Sequence, residues 1–187
     1  MAASITRYDK MPIPAIDAHT RYFESGRLRI GVEYRVLDDA VAAAARLHLE
    51  AATGVETGKL TEIDDRGVSL HVYVQGDGGW CEHLRFDCFE EEPHYHYVSW
   101  AARSNEVLHV DPFAVGDPLG WALECLRTRL PQMLRRAEPG REALVSAPDV
   151  DTIMPRVAAA AYAARFDIEP QSIEAAAHGP ASAGHSG

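Results

Sequence analysis

The chain has 187 residues, of which 47% are hydrophobic and 25% charged, a globular composition that excludes a largely disordered protein. Its 18 Lys and Arg against 28 Asp and Glu give a net charge of -10, which argues against a general binder of nucleic acid or of anionic membranes. A chain of this length buries enough surface on folding to need neither a disulfide nor a structural metal.

The cellular compartment is predicted from cysteine usage and from the absence of apolar runs in the sequence. No stretch approaches the 18 consecutive apolar residues of a membrane helix, and the N-terminal sequence lacks the apolar segment of a signal peptide. Cys81, Cys88 and Cys125 are odd in number and widely spaced, which is typical of reduced thiols. We therefore expect a cytoplasmic protein, and the near-exclusive use of Arg for positive charge indicates a bacterial, GC-rich genome.

The chain divides into three parts by composition. Residues 1–25 show little periodicity and are predicted to form an irregular N-terminal arm. Residues 26–168 are predicted to form a single α+β domain, with a mostly antiparallel sheet of about five to six strands and three helices on one face. Residues 169–187 are rich in small residues, Gly and Pro, and are predicted to be a disordered tail.

Strands and helices within the domain follow from hydrophobic periodicity and turn signals. Apolar residues alternate with polar or small ones from Leu28 to Val36, which predicts the first strand over 27–37. Asp117 and Pro118 are typical of a helix start, and the apolar stripe that follows predicts a helix over 118–134. By the same criteria we predict further helices over 41–52 and 152–166, and further strands over 56–63, 67–75, 81–89, 94–101 and 106–110.

The sheet is predicted to have one apolar and one polar face. Side chains alternate along a strand, and residues opposite each other in a hairpin share a face. An even-numbered turn in the sequence EEEP makes one face uniformly apolar, whereas a three-residue turn would place Cys88, as a candidate nucleophile, beside the histidines. We choose the even turn. The other face then carries five of the nine histidines with several polar and aromatic residues: His71, His83, His94, His96, His109, Arg85, Asp87, Asp111, Tyr73 and Trp100.

The sequence PHYHY at 93–97 is the sharpest candidate for a metal site. His94 and His96 lie two apart on a strand, so their imidazoles project side by side and can bind one divalent ion. A turn near Ser104 and Asn105 would pair Val98 with Asp111 and Trp100 with His109. The third ligand is then Asp111 or Asp87, with His109 as a fourth candidate. Two His and one carboxylate leave open coordination positions, as in catalytic sites for zinc, iron, manganese or nickel.

Other residues of the polar face are assigned to catalysis and substrate binding. A His hydrogen-bonded to Asp87 or Asp111 would have a pKa suited to acid–base chemistry, and His109 is a candidate for that role. Arg85 would bind a substrate carboxylate or phosphate, or else form a structural ion pair. The remaining residues of the face are candidates for substrate binding: His71, Tyr73, His83 and Trp100.

Three functions are compatible with this face. The first is a small metal-dependent enzyme acting on a small polar organic substrate. The second is a non-catalytic accessory subunit or homodimeric binding module that uses the His- and aromatic-rich face as an interface. The third is a metal-free acid–base isomerase, cyclase or lyase. It would differ from the first in keeping its activity when a metal chelator is added.

Overall fold

A computed structural model describes residues 5–8, 11–37 and 65–177 of the chain, with the backbone alone described over 167–177. The helix expected over 41–52 and the strand expected over 56–63 lie outside the described residues. So does the end of the chain, from 178 to 187.

The described residues form one sheet of seven strands in which every pair of neighbours is antiparallel. The strand order is β1-β7-β6-β5-β4-β3-β2, so the chain meanders from β2 to β7 and the first strand pairs with the last. The predicted α+β class is confirmed, with slightly more strands than expected. The strands are β1 (Ile5–Tyr8), β2 (Thr20–Ser25), β3 (Leu28–Leu37), β4 (Asp65–Gly76), β5 (Gly79–Phe89), β6 (His94–Ser99) and β7 (Ser104–His109).

Two long helices, α2 (Pro118–Ala137) and α3 (Ala147–Ala177), pack against the sheet, and a single turn, α1 (Pro112–Val115), precedes them. The Asp117 carboxylate caps α2 as predicted, by accepting from the backbone N–H groups of Leu119 and Gly120. Ser146 and Asp149 form a reciprocal capping box at the start of α3. Within the described part of the chain, no helix is long and apolar enough to cross a membrane.

The core lies between the apolar face of the sheet and the two long helices. Apolar side chains from the middle of β3, β4 and β5 point into it, and Ile30, Val72 and Leu84 are fully buried there. From the helices, Leu126 and Ile153 are also fully buried. This arrangement confirms the predicted apolar face, because strand alternation has a strict period of two.

Both ends of the chain contain regular secondary structure where the structure describes them. The segment 1–25 contains β1 and β2, and β2 forms a hairpin with β3 that buries Phe23 in the core. Gly26, at φ +53°, supplies the left-handed conformation that this tight turn requires. At the other end, the backbone of α3 continues to Ala177, within the segment predicted from the sequence to be a tail.

Candidate functional site

The hairpin of β5 and β6 builds the centre of the polar face. The turn over 90–93 has four residues, and Asp87 pairs with His94 while Arg85 pairs with His96. The even turn chosen from the sequence is therefore confirmed. Its consequence is that one carboxylate and two imidazoles project from neighbouring strands on the same side of the sheet.

Asp87, His94 and His96 converge on one point, and we call these three residues the triad. The Oδ2 atom of Asp87 lies 3.3 Å from Nε2 of His94 and 3.1 Å from Nε2 of His96. The two imidazole centres are 5.0 Å apart. The potential ligand atoms of all three side chains lie within 4.8 Å of one another, which makes the triad a candidate metal site.

Hydrogen bonds on the far side of each ring determine which nitrogen faces Asp87. His94 Nδ1 lies 2.7 Å from the carbonyl oxygen of Glu92, and His96 Nδ1 lies 2.8 Å from Oδ1 of Asn105. Both oxygens accept only, so each Nδ1 donates a proton and, in a neutral ring, Nε2 carries a lone pair. Asp87 Oδ2 and the two Nε2 atoms then direct lone pairs at one another. Because lone pairs repel, this arrangement requires a cation or added protons between the three atoms.

The second oxygen of Asp87 is held separately. Oδ1 accepts a hydrogen bond from the hydroxyl of Ser69, so Oδ2 is left to the two histidines. Burial raises the pKa of Asp87, but hydrogen bonds from His94 and His96 and the charge of Arg85 outweigh it and hold the pKa well below its usual range. Asp87 is therefore a carboxylate, the form in which it can bind a metal.

The two nitrogen–oxygen distances of the triad match the coordination shell of a single ion. Two atoms bound at about 2.05 Å lie about 3.3 Å apart around a tetrahedral ion and about 2.9 Å apart around an octahedral one. The two nitrogen–oxygen distances, 3.1 and 3.3 Å, fall within that interval. Ser69, Asn105 and the Glu92 carbonyl occupy the outer positions that usually orient metal ligands.

The polar face is buried, which the sequence did not indicate. His71 and Ser69 are fully inaccessible, and Arg85 and Asp87 are 2% and 3% exposed. Among the described residues, the segment 11–19 contacts this face through hydrogen bonds to Glu33 and Arg35. Burial of so many polar groups is tolerable only if most of them are hydrogen-bonded; among the described residues, Nε of Arg35 is a buried atom of this face without a partner.

A row of alternating charges crosses β3, β4 and β5 and ends beside the triad. Arg35 donates to Glu33, whose carboxylate lies 2.9 Å from His71 Nε2. The other nitrogen of His71, Nδ1, lies 2.8 Å from Glu82, which also accepts both prongs of the Arg85 guanidinium, at 2.9 and 2.7 Å. We call these five residues the charge row. Each His71 nitrogen faces a carboxylate oxygen, so the ring bridges Glu33 and Glu82.

The charge row occupies two residues that we had assigned to substrates. Arg85 is buried and its Nε and Nη2 atoms both donate to Glu82, so its guanidinium is not available to a substrate anion. His71 has both nitrogens engaged. Burial raises the pKa of Glu82, but the charge of Arg85 and the hydrogen bond from His71 outweigh it and lower the pKa to about 2.

A β-bulge explains why His83 is not on the polar face where we expected it. Val72 pairs with Leu84, but Tyr73 pairs with Glu82, so His83 is an extra residue and Glu82 enters the face instead. His83 lies 3.3 Å from the Val98 carbonyl and is fully buried. Desolvation lowers the pKa of His83, which keeps the ring neutral.

The register of β6 with β7 also differs from the prediction. Val98 pairs with Asn105, six residues before Asp111, because β7 begins at Ser104 and the turn lies over 100–103. Asp111 therefore lies beyond β7 and caps α1 by accepting from the Phe113 N–H, so it is not a third ligand. The Trp100 indole lies in the turn, 46% exposed, and donates to the Glu82 carbonyl.

Two other predicted residues remain on the polar face. His109 is exposed and pairs directly with His94, with their ring centres 6.0 Å apart. The Tyr73 ring stacks against His71 at the other end of the face and contacts Tyr22 edge-on. Of the two, only His109 lies next to the triad.

Cys88 lies on the apolar side, as the even turn predicts. It lines a cavity of about 320 Å³ between the sheet and the start of α2, where the ion pair of Asp117 and Arg165 provides polar lining. Burial, together with the charges of Asp87 and Asp117, raises the pKa of the Cys88 thiol. A thiol that stays protonated is a poor nucleophile.

Four residues of the site were not identified from the sequence: Glu33, Glu82, Ser69 and Asn105. Ser69 could have been found, since strand alternation places it on the face of His71. Glu33 has the right parity in β3, but the pairing of β3 with β4 spans residues 38–64 and carries no local signal. Glu82 was not predicted because the bulge reverses its face. Asn105 was not predicted because the turn between β6 and β7 was placed at the wrong residues.

Comparison with known proteins gives a family without a known activity. Residues 22–164 match the family described as Domain of unknown function (DUF7700). No curated protein and no solved structure matches the chain.

Proposed function

We propose that this chain, which belongs to the DUF7700 family, is a metal-dependent enzyme that binds one divalent ion through the triad and acts on a small polar organic substrate. The observation that carries the proposal is the convergence of Asp87 Oδ2 and two Nε2 atoms at 3.1 and 3.3 Å, with both Nδ1 atoms held by acceptors. Zinc, iron, manganese and nickel all accept imidazole and carboxylate ligands, and the three ligands leave at least one position open.

The chain's own residues prepare this chemistry. Ser69 and Asn105 fix the orientation of Asp87 and His96. Hydrogen bonds from His94 and His96, together with the charge of Arg85, lower the pKa of Asp87. The His94 side chain is 18% exposed, against 9% for His96 and 4% for Asp87, so access to the site is on the His94 side. A divalent ion bound there would supply a Lewis acid and lower the pKa of bound water.

The test is calorimetric titration of zinc into the full chain after removal of metal by a chelator. We expect one equivalent to bind, and no binding to the double variant His94→Ala, His96→Ala. His19→Ala, which removes an exposed histidine outside the site, is the matched control and should bind like the unmodified protein. Failure to bind zinc, ferrous iron, manganese or nickel would refute the proposal.

A metal-free acid–base enzyme remains the second candidate, because Asp87 is also a suitable partner for a catalytic His. Burial lowers the pKa of His94, but the hydrogen bond and charge of Asp87 outweigh it and raise the pKa. Any activity found for this chain separates the two candidates. Loss of that activity with chelator and recovery with added metal supports the first, and indifference to chelator supports the second.

The binding-module hypothesis is less favoured, since most of the polar face is already buried within one chain and Trp100 lies apart from the triad. A cytoplasmic location, a bacterial origin, a small-molecule substrate and a homo-oligomeric state stay predictions from the sequence.

A further inference from the structure

His109 is the residue of the polar face that the triad leaves without a role. It is the last residue of β7 and lies directly opposite His94, so both side chains project from the same side of the sheet. Asp87 is the partner of His94 on the other flank. His94 is thus flanked by Asp87 on one side and by a third imidazole on the other.

Among the described residues, none holds the His109 ring by a hydrogen bond, unlike the rings of the other histidines on this face. The His109 side chain is exposed, and among the described residues its one ring contact is with His94, whose ring plane is tilted relative to that of His109. His71 and His96 are each held through both ring nitrogens. A rotation of the His109 side chain therefore breaks no hydrogen bond to the described residues.

The distances show how far the ring would have to move. An imidazole centre lies about 3.2 Å from a metal that its nitrogen binds, so two imidazoles on one tetrahedral ion have centres about 5.2 Å apart. The centres of His94 and His96 are 5.0 Å apart, close to that value. Those of His94 and His109 are 6.0 Å apart, an excess of about 0.8 Å that a side-chain rotation can close.

From this geometry we infer that His109 is a fourth, exchangeable ligand of the metal bound by the triad. The inference rests on the proposed function and adds how access to the ion is controlled. With His109 bound, a zinc ion has the four ligands it prefers and is closed to water. Release of the exposed ring opens the position that a substrate oxygen or nitrogen would take.

The experiment compares His109→Ala with the unmodified full chain, using zinc as the probe. X-ray absorption at the zinc edge should count three imidazoles in the unmodified protein and two in the variant. Competition with a chromophoric chelator should show an affinity for zinc at least about tenfold lower in the variant, since even outer-sphere partners change it by 10–100-fold. His19→Ala is the control and should keep both values.

The outcomes separate this inference from the proposed function. If the unmodified protein binds zinc through two imidazoles and His109→Ala binds it equally well, the fourth ligand is refuted and the triad stands. If the affinity falls but the imidazole count stays at two, His109 acts outside the coordination shell and the inference is again wrong. If the unmodified protein binds none of zinc, ferrous iron, manganese and nickel, the inference and the proposed function are both refuted.

Discussion

At the scale of single residues, the site depends on groups that fix the ligands rather than on the ligands alone. Each histidine of the triad has its proton fixed on Nδ1 by an oxygen acceptor, and Asp87 has one oxygen occupied by Ser69. Nε2 and Oδ2 are consequently presented with little freedom of rotation. A metal binding to such ligands loses less conformational entropy than one binding to mobile side chains.

The role of Asn105 can be tested by removing its acceptor oxygen. We expect Asn105→Ala to lower the affinity for zinc by about 10–100-fold, because His96 then lacks the partner that orients it. Asn105→Asp retains an acceptor at the same position and should restore most of the affinity. Equal affinity of Asn105→Ala and the unmodified protein in a chelator competition would show that this hydrogen bond does not matter for binding.

His71 is predicted to be required for stability instead of for substrate binding. In His71→Ala, Glu33 and Glu82 lose the buried ring that bridges them, which should lower the free energy of unfolding by about 3–5 kcal/mol. Urea denaturation measures this, and the exposed His19→Ala should change the value by less than about 0.5 kcal/mol. A loss below 1 kcal/mol for His71→Ala would contradict the ion-pair arrangement.

At the scale of elements, one bulge and one turn decide which residues meet. The bulge at His83 brings Glu82 to the polar face and thereby completes the charge row. The turn over 100–103 sets Asn105 within reach of His96 and leaves Asp111 to cap a helix. Neither feature changes the alternation of side chains along the rest of the strands.

The placement of Asp111 gives a prediction at this scale. Since its carboxylate caps α1 and does not face the triad, Asp111→Ala should leave the affinity for zinc unchanged, whereas Asp87→Ala should abolish binding. Both affinities can be measured by the same calorimetric titration. A large loss of affinity in Asp111→Ala would restore the ligand set that we first expected from the sequence.

The features of this architecture that can be predicted from the sequence are those that follow from the two-residue alternation of side chains along a strand. Alternation of side chains along a strand is enough to place His94 and His96 on the same face. The requirement that the other face be uniformly apolar selects the even-numbered turn, which places Asp87 beside the two histidines. The register of β6 with β7 depends on the residue at which the connecting turn begins. The sequence around Arg103, Ser104 and Asn105 does not fix that residue to better than a few positions. The charge row depends on a pairing across residues 38–64 and on a bulge, and neither has a local signature.

At the scale of the whole molecule, the sheet separates an apolar core from a second, polar interior. The helices cover one face, while the other is filled by ion pairs that reach from Arg35 to the triad. Buried ion pairs contribute less to net stability than apolar packing, but they hold charged groups in fixed positions. The polar interior therefore supplies a rigid, charged setting for Asp87.

The polar interior should make the protein sensitive to acid. The pKa of Glu82 is lowered to about 2 in the folded protein against an ordinary value of 4.5, so its contribution is present above pH 4.5 and is lost as the pH falls towards 2. That contribution is about 3 kcal/mol. We expect the unfolding free energies of the unmodified protein and of Glu82→Gln to differ at pH 5 and to converge near pH 2. A constant difference over this range would contradict the lowered pKa.

The most direct test of the metal site is anomalous diffraction from crystals of the full chain grown with zinc, recorded above and below the zinc edge. We expect one strong anomalous peak about 2.0–2.2 Å from Asp87 Oδ2 and from Nε2 of both His94 and His96. A peak at other residues, or a triad held together by protons with no ion at its centre, would contradict it.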